Sequence, residues 1–417
     1  MEVKMEKTYY RKIFNYCLFL VPALLLCTSN LSIGAVIIIL LTSTWYLIRE
    51  NKVSPLNKLD WMVITILSAY FISNIPIYIY DMGTARYFKG ASRYLLIIPI
   101  YFFIKEVINE NKEPRTYLDW GVFFGSIGTL IISIYQFYIK DMTRVDGYLY
   151  SINFGYLSCS LAFLALTLSS SSHIKKLLWL SFVILCYTTL LTVTRGAIFA
   201  IPILIFFSIA LHSKENRLKN TVKVLIIMSI SFFSIYFSSH KIQDRIDLTV
   251  VEFNEIISGN ISASESSGGR IQLWYSATQS FIKSPLIGQT YAQREETIRE
   301  LYREGKISSW PMTITRAHAH NQYFEMLASN GILGILAFIS LIFIPLFYFL
   351  KNINKSIHAF SGFIFVLGFS IFCLTEVPLE QNLISTFYGF ILITLINFTR
   401  NDLKGYSDNT TINESVS

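Results

Sequence analysis

Charge is scarce in this sequence. Asp, Glu, Lys and Arg make up 15% of its 417 residues, where a soluble domain carries about a quarter, and the shortage excludes an ordinary water-soluble enzyme. Cysteine is sparse as well. Cys17, Cys27, Cys159, Cys186 and Cys373 all lie inside apolar runs and none has C-x-x-C spacing. That excludes a disulfide framework and a cysteine zinc site, leaving five small buried hydrophobes. No internal repeat is visible, and the H-E-x-x-H pattern of a zinc peptidase is missing. Histidine is limited to six residues, so two in close succession need a reason. The net charge of +8 does not signal nucleic acid. Most of the lysines and arginines fall in short links between apolar runs, where they set topology.

What fills the chain is hydrophobic residues, 53% of the total, in runs long enough to span a hydrocarbon core, which takes about 20 residues. Twelve such runs lie near 13–29, 31–48, 61–80, 92–108, 118–138, 148–170, 177–194, 196–212, 221–239, 331–350, 356–375 and 381–399. The first has the basic-then-apolar form of a signal peptide. It lacks a small-x-small cleavage site and reads as a retained helix. Backbone in lipid must satisfy its own hydrogen bonds, and a barrel would need shorter alternating segments, so the runs are helices. The expected fold is an all-α polytopic membrane protein with about twelve transmembrane helices. Residues 1–239 hold helices one to nine and 240–320 form one large, partly helical loop. Residues 321–400 hold the last three helices, and 401–417 form a polar tail expected to fray.

Charge orients the bundle. With the N-terminus cytoplasmic, twenty of the basic residues fall in inside segments and six in short outside loops: Arg86, Lys89, Arg93, Lys140, Arg144 and Arg195. The other nine lie in 240–320, and long loops are discounted in this rule. Both termini are therefore expected inside, and the long loop outside. Arg86, Lys89, Arg93 and Arg195 run against the bias. Each could snorkel at the interface; together they suggest an anionic ligand on the outer side.

Within the loop, "KIQDRIDLTVVEFNEIISGN" and "RIQLWYSATQSFIKSPLIG" have amphipathic helical spacing, the second stopped by Ser284-Pro285 and Gly288. "REETIRELYREGK" reads as a solvated helix with pairs such as Glu295–Arg299. The alternation of faces fits a lid lying on the membrane surface. Arg270 follows Gly268-Gly269 at a helix start, where free N–H groups and a guanidinium fork suit a phosphate. In "TRAHAHNQYFEML", Asn321 is a plausible N-cap, which puts His320 at a helix mouth just outside the membrane. His318 and His320 could bind a metal with a third ligand such as Glu325, one of them could be a general base, or both could simply sit in an interfacial loop.

Three segments together resemble the bacterial O-antigen ligase family: "LTVTRGAIFAIPI", "SSGGRIQLWYSATQSFIKSPLIG" and "HAHNQYFEMLASNGILGILAF". Their order, spacing and twelve-span layout match along nearly the whole chain. The resemblance implies an inverting glycosyltransferase, independent of metal, nucleotide or other cofactor, at the periplasmic face of the bacterial inner membrane. Its donor would be a glycan on undecaprenyl pyrophosphate, its acceptor a sugar hydroxyl of lipid A–core, and membrane lipids would surround it. The family's essential arginines fall on Arg195 and Arg270, and its essential histidine on His320. Arg86, Lys89, Arg93, Arg144 and Arg316 become further candidates for donor or acceptor phosphates, with His318 a substrate-binding candidate of unassigned role. A surface-polysaccharide polymerase would share this chemistry but often carries two substantial outer loops. A protein-directed oligosaccharyltransferase of the same superfamily ranks below it. A twelve-helix transporter would need ionisable groups within its spans, and these span centres have almost none.

Overall fold

The apolar runs form helices, and prolines mark several of the joints. A computed structural model describes residues 2–50, 54–82, 84–108, 113–212, 240–259 and 267–416, with isolated positions at 222, 226, 236, 237 and 261. Helices α1 (Glu2–Leu24) and α2 (Leu31–Glu50) pack on each other. Helix α3 (Lys58–Ser73) starts at a capping box made by Asn57 and Asp60, and gives way at Asn74 to α4 (Ile75–Tyr80). Next come α5 (Ala91–Leu95), α6 (Ile98–Val107) and α7 (Glu113–Ile134), the last extended by a π turn over Tyr135–Ile139. Helices α8 (Ser151–Ser169), α9 (Lys175–Leu191) and α10 (Arg195–His212) follow. The segment that follows contains α11 (His240–Ile257), α12 (Ser267–Lys283) and α13 (Tyr291–Arg303). The chain ends with α14 (Gln322–Phe338), α15 (Ile344–Asn352), α16 (Ile357–Phe372) and α17 (Asn382–Val416). Pro76, Pro99 and Pro345 stand in the first turns of α4, α6 and α15, where a missing N–H costs nothing.

No strand occurs among the described residues. Among the described residues, six helical stretches are long and apolar enough to cross a membrane: Leu31–Glu50, Lys58–Tyr80, Pro114–Ile139, Ser151–Ser169, Gln322–Asn352 and Asn382–Tyr406. Arg195–Leu211 and Ile357–Phe372 are shorter apolar helices. The expected run at 92–108 is divided between α5 and α6 just before Pro99, which has no N–H to donate back to Leu95 and stands in the first turn of α6. The run at 221–239 lies almost wholly outside the described residues.

The expected fraying of 401–417 is corrected: α17 continues to Val416. No proline follows Asn382 in that stretch, and polar residues do not themselves end a helix.

Burial sorts the helices. The apolar stretches of α8 and α17 are 89% and 94% buried, whereas α2 and α7 are 33% buried. Ile37, Ile38, Leu41, Trp45 and Ile48 of α2 face outward, a stripe that water would penalise and lipid would not. The protein is thus an all-helical membrane protein with α8 and α17 at its centre.

The segment with α12 and α13 is seated on this bundle through α14. Gly331 kinks that helix with φ +60, and a Cβ there would strike the Pro285 carbonyl. The close approach lets Ile332 N–H donate to Pro285 O (2.8 Å) and Gln289 N–H donate to Ala328 O (2.8 Å). Trp274 of α12 stacks on Phe324 of α14 with centroids 5.5 Å apart.

Candidate active site

The histidine loop is backbone held in an unfavourable shape. Arg316, Ala317 and His320 have φ of 62, 53 and 47, left-handed values that non-glycine residues adopt only when their surroundings impose them. Four contacts do so. Trp274 Nε1 donates to Ala319 O (3.1 Å), and Glu295 accepts from Arg316 N–H (2.8 Å). The Asn321 side chain caps α14 as expected, accepting from Tyr323 N–H (2.9 Å), while its Nδ2 donates to Leu374 O (2.9 Å).

The fourth contact is a buried ion pair. Arg294 Nη2 donates to Glu325 Oε2 (2.9 Å) and to Ala317 O (2.6 Å), while its Nη1 reaches Glu325 Oε1 and Ser329 Oγ. Glu325 Oε2 in turn accepts from Ala319 N–H (2.7 Å). Arg294 is 1% exposed, so the solvated reading of its helix holds only for the opposite face. The reason is local. A capping box between Thr290 and Gln293 starts α13, and Arg294, Thr297, Ile298 and Leu301 then share its buried side.

This frame presents His320 to Glu376, in the link between α16 and α17. His320 Nδ1 lies 3.0 and 3.2 Å from the two Glu376 oxygens. Burial opposes charge on Glu376, but hydrogen bonding from His320, the potential of both imidazoles and the Val377 N–H outweigh it, and its carboxyl sits below the usual range. A carboxylate only accepts, so Nδ1 of His320 carries the proton and Nε2 keeps a free lone pair. His318 is set differently. Its Nδ1 accepts from His320 N–H (3.3 Å), and burial depresses its pKa, so it stays neutral. Its Nε2 lies 3.8 Å from Glu376, and the two rings meet edge to face at 4.6 Å.

His318, His320 and Glu376 also place one donor atom each within 4.8 Å of the others. Two nitrogens and a carboxylate form a partial ligand set for a transition metal. The hydrogen bonds described above already occupy Nδ1 of both rings, so a metal would have to displace them or use Nε2. Glu325, the third ligand that the sequence suggests, is committed to Arg294.

Immediately beside Glu376, a cavity of about 180 Å³ is lined by Arg144, Arg195, Arg270, Tyr156 and Thr375, among others. Arg144 Nε donates to Thr192 O (3.0 Å). Arg195 opens α10 and pairs with Glu252 of α11 (2.8 Å), which also accepts from Ser267 Oγ (2.6 Å). Arg270 is the fourth residue of α12. Tyr156 Oη and Thr375 Oγ1 are 2.7 Å apart, and Thr375 is the residue before Glu376, so the arginine cavity comes within one residue of the His320–Glu376 pair. A second cavity of about 310 Å³ is lined by Arg86, Lys89, Arg316 and His318, and also by Glu380 and Tyr70. Arg93 lines neither cavity. Glu376, Glu380, Arg294 and Glu252 are functional candidates that sequence reasoning misses. The first two stand in plain view in "LTEVPLEQN", a carboxylate pair in the link between the last two apolar runs.

Comparison with known proteins bears on the same region. The family model described as O-antigen ligase matches residues 180–339. An uncharacterized protein of Haemophilus influenzae is 22% identical over 319 residues, covering 74% of this chain and 77% of that protein. The O-antigen ligase of Escherichia coli K12 is 22% identical over 295 residues, covering 67% of this chain and 66% of that protein. The family match runs from before Arg195 through the histidine loop to the end of α14, so the stretch that holds Arg195, Arg270 and both histidines is similar to the O-antigen ligase family.

Proposed function

We propose that this protein is an O-antigen ligase: an inverting glycosyltransferase that moves a polysaccharide from undecaprenyl pyrophosphate to a sugar hydroxyl of lipid A–core, at the periplasmic face of the inner membrane. The observation that carries the reading is the His320–Glu376 pair set one residue from a cavity lined by three arginines. Arg144, Arg195 and Arg270 hold the pyrophosphate and stabilise the charge that grows on it as the glycosidic C–O bond breaks. His320 Nε2 takes the proton of the acceptor hydroxyl as its oxygen bonds to the anomeric carbon from the opposite face. The bonding pair of the broken bond leaves with the lipid pyrophosphate, a good leaving group that needs little acid assistance. Glu376 fixes the tautomer of His320 and stabilises the imidazolium that forms. Arg195 is engaged by Glu252, a partner that the donor's phosphates would replace.

Deleting the gene and separating the lipopolysaccharide on a gel tests the assignment. A ligase is expected to leave lipid A–core bare while lipid-linked polymer accumulates. Core carrying a single repeat would instead identify a polymerase with the same chemistry, and an unchanged pattern would defeat both.

A further inference from the structure

The larger cavity has a chemical character of its own. Two buried polar atoms in its lining residues have no hydrogen-bond partner, Nε of Arg316 and Oδ1 of Asn382. One is a donor and the other an acceptor, and an unmet buried polar atom is costly enough that native proteins rarely leave it so. The wall beside Arg316 is aromatic: Tyr87 and Tyr291 stack with centroids 4.7 Å apart and planes 8° from parallel, and the Arg316 guanidinium lies 5.7 Å from the Tyr291 ring. Asn153 and Gln381 add side-chain amides. Flat rings beside amides and unmet polar atoms suit the faces and hydroxyls of a sugar. At the rim, Arg86 and Lys89 are exposed, and neither shows an ion pair among the described residues. Glu380 accepts from the Tyr70 hydroxyl (2.8 Å). Burial, then the nearby charge of Glu325, push its carboxyl up to about 7, which limits its repulsion of an anion.

His318 lines this cavity, and its ring packs directly on that of His320. The arginine cavity lies beyond Thr375 and Glu376. The base is thus linked to one cavity through His318 and to the other through Glu376 and its neighbour Thr375, as a transfer between two large substrates requires.

We infer that the cavity lined by Arg316, Asn382 and the Tyr87–Tyr291 stack is the acceptor subsite and takes a negatively charged sugar, with Arg86 and Lys89 binding its anionic group. The inference rests on the transferase reading above and adds to it the acceptor's location and charge. Arg86 and Lys89, which the sequence leaves open between donor and acceptor, are thereby assigned to the acceptor.

The test is a steady-state assay of the purified full-length protein, varying lipid A–core and the undecaprenyl-pyrophosphate-linked donor in turn. Arg86→Ala/Lys89→Ala is expected to raise the KM for the acceptor about tenfold or more, the effect of losing charge-assisted contacts, with the donor KM within twofold of wild type. Asn382→Ala is expected to raise the same KM. The rim double variant removes exposed side chains only, so it remains informative if Asn382→Ala fails to fold. A rise in donor KM with the acceptor KM unmoved would overturn the inference, as would equal acceptor KM in variant and wild type. Acceptor treated with phosphatase identifies the anion: the variant's handicap disappears if the charge is phosphate and persists if it is a sugar carboxylate, either result supporting an anionic sugar. His320→Ala run alongside distinguishes failure of the subsite from failure of the transferase reading. Full transfer by that variant overturns the transferase reading itself, whereas loss of transfer leaves the acceptor KM to judge the subsite.

Discussion

Arg294 holds Glu325 through both ends of its guanidinium, and the pair closes around the backbone on each side of His318, at Ala317 O and Ala319 N–H. The ion pair joins α13 to the membrane helix α14 and at the same time fixes the turn that carries both histidines. A buried pair of this kind is weak evidence for net stability, but breaking it from one side strands a charge. Arg294→Met is therefore expected to cost about 3–5 kcal/mol, and Arg294→Met/Glu325→Gln to recover part of that loss, in thermal unfolding of the detergent-solubilised protein. Activity should stay low in the double variant, since nothing then holds Ala317 and Ala319 in place. Recovery of full activity with stability would show that the pair only glues the helices together.

The second prediction concerns the base. His320→Ala should abolish transfer from a lipid-linked donor in vitro, while His318→Ala, which removes a neutral neighbour, should be milder. Glu376→Gln is the more discriminating change. Its amide can donate to Nδ1 and push the proton to Nε2, leaving the imidazole in the wrong tautomer with its geometry intact. A loss of up to about 10⁴ in kcat is the precedent for that error in a related dyad. If Glu376→Gln turned over at the wild-type rate, the carboxylate would have no part in orienting His320.

The arginine cavity gives a third expectation. Arg195→Ala and Arg270→Ala should each lower kcat on the order of 10²–10³-fold, the range for removing one stabilising donor from a developing anion. Lysine at either position should restore charge but not the planar fork, and so only part of the rate. Glu252 tests the same cavity from the other side. Because it occupies Arg195, Glu252→Gln should lower the donor KM; an increase would mean that Glu252 positions Arg195 rather than competing for it.

Much of the fold and part of the site are legible in the amino-acid sequence. Apolar run lengths place the helices, and proline positions explain where single runs divide, as at Pro99. Arg195 and Arg270 stand out in short motifs, and both line one cavity with Arg144. Glu376 is visible as an acidic residue in a link between apolar runs, but nothing local ties it to a histidine 56 residues earlier; only the return of the chain between α16 and α17 brings them together. Arg294 is hidden for a different reason. Glu295, Glu296, Arg299 and Arg303 do form solvent-facing pairs, and they disguise a helix whose other side is buried. The clue is the spacing of Arg294 with Thr297, Ile298 and Leu301, which follows the apolar stripe.

Glu380 should make stability depend on pH. Its carboxyl titrates at about 7 in the fold against 4.5 in an unperturbed carboxyl, so between those values the folded protein binds more protons than the unfolded chain. Stability must then fall as pH rises through that window and be greatest at its acid end. Glu380→Gln, which stays neutral and can still meet Tyr70, is expected to flatten the curve. Melting temperatures measured from about pH 4.5 to about pH 7.5 decide it: equal slopes in wild type and variant would show that Glu380 keeps an ordinary carboxylate environment.

The last prediction separates proton transfer from metal chemistry at one cluster. His318, His320 and Glu376 could serve either purpose, as their donor atoms lie within 4.8 Å of one another. If His320 Nε2 is the base, its lone pair must be free, and a chelator such as EDTA should leave the rate unchanged. Added Zn²⁺ should then inhibit, since a metal on the imidazole lone pair removes the proton acceptor. That inhibition should weaken in His318→Ala, which lacks one of the three ligands, although the variant's own residual transfer continues. If the cluster holds a catalytic metal, the signs reverse: chelator stops the reaction, zinc or another divalent ion restores it, and His318→Ala fails along with His320→Ala. The two readings share every residue and differ in the sign of the chelator effect, so the purified enzyme and its two histidine variants suffice to choose between them.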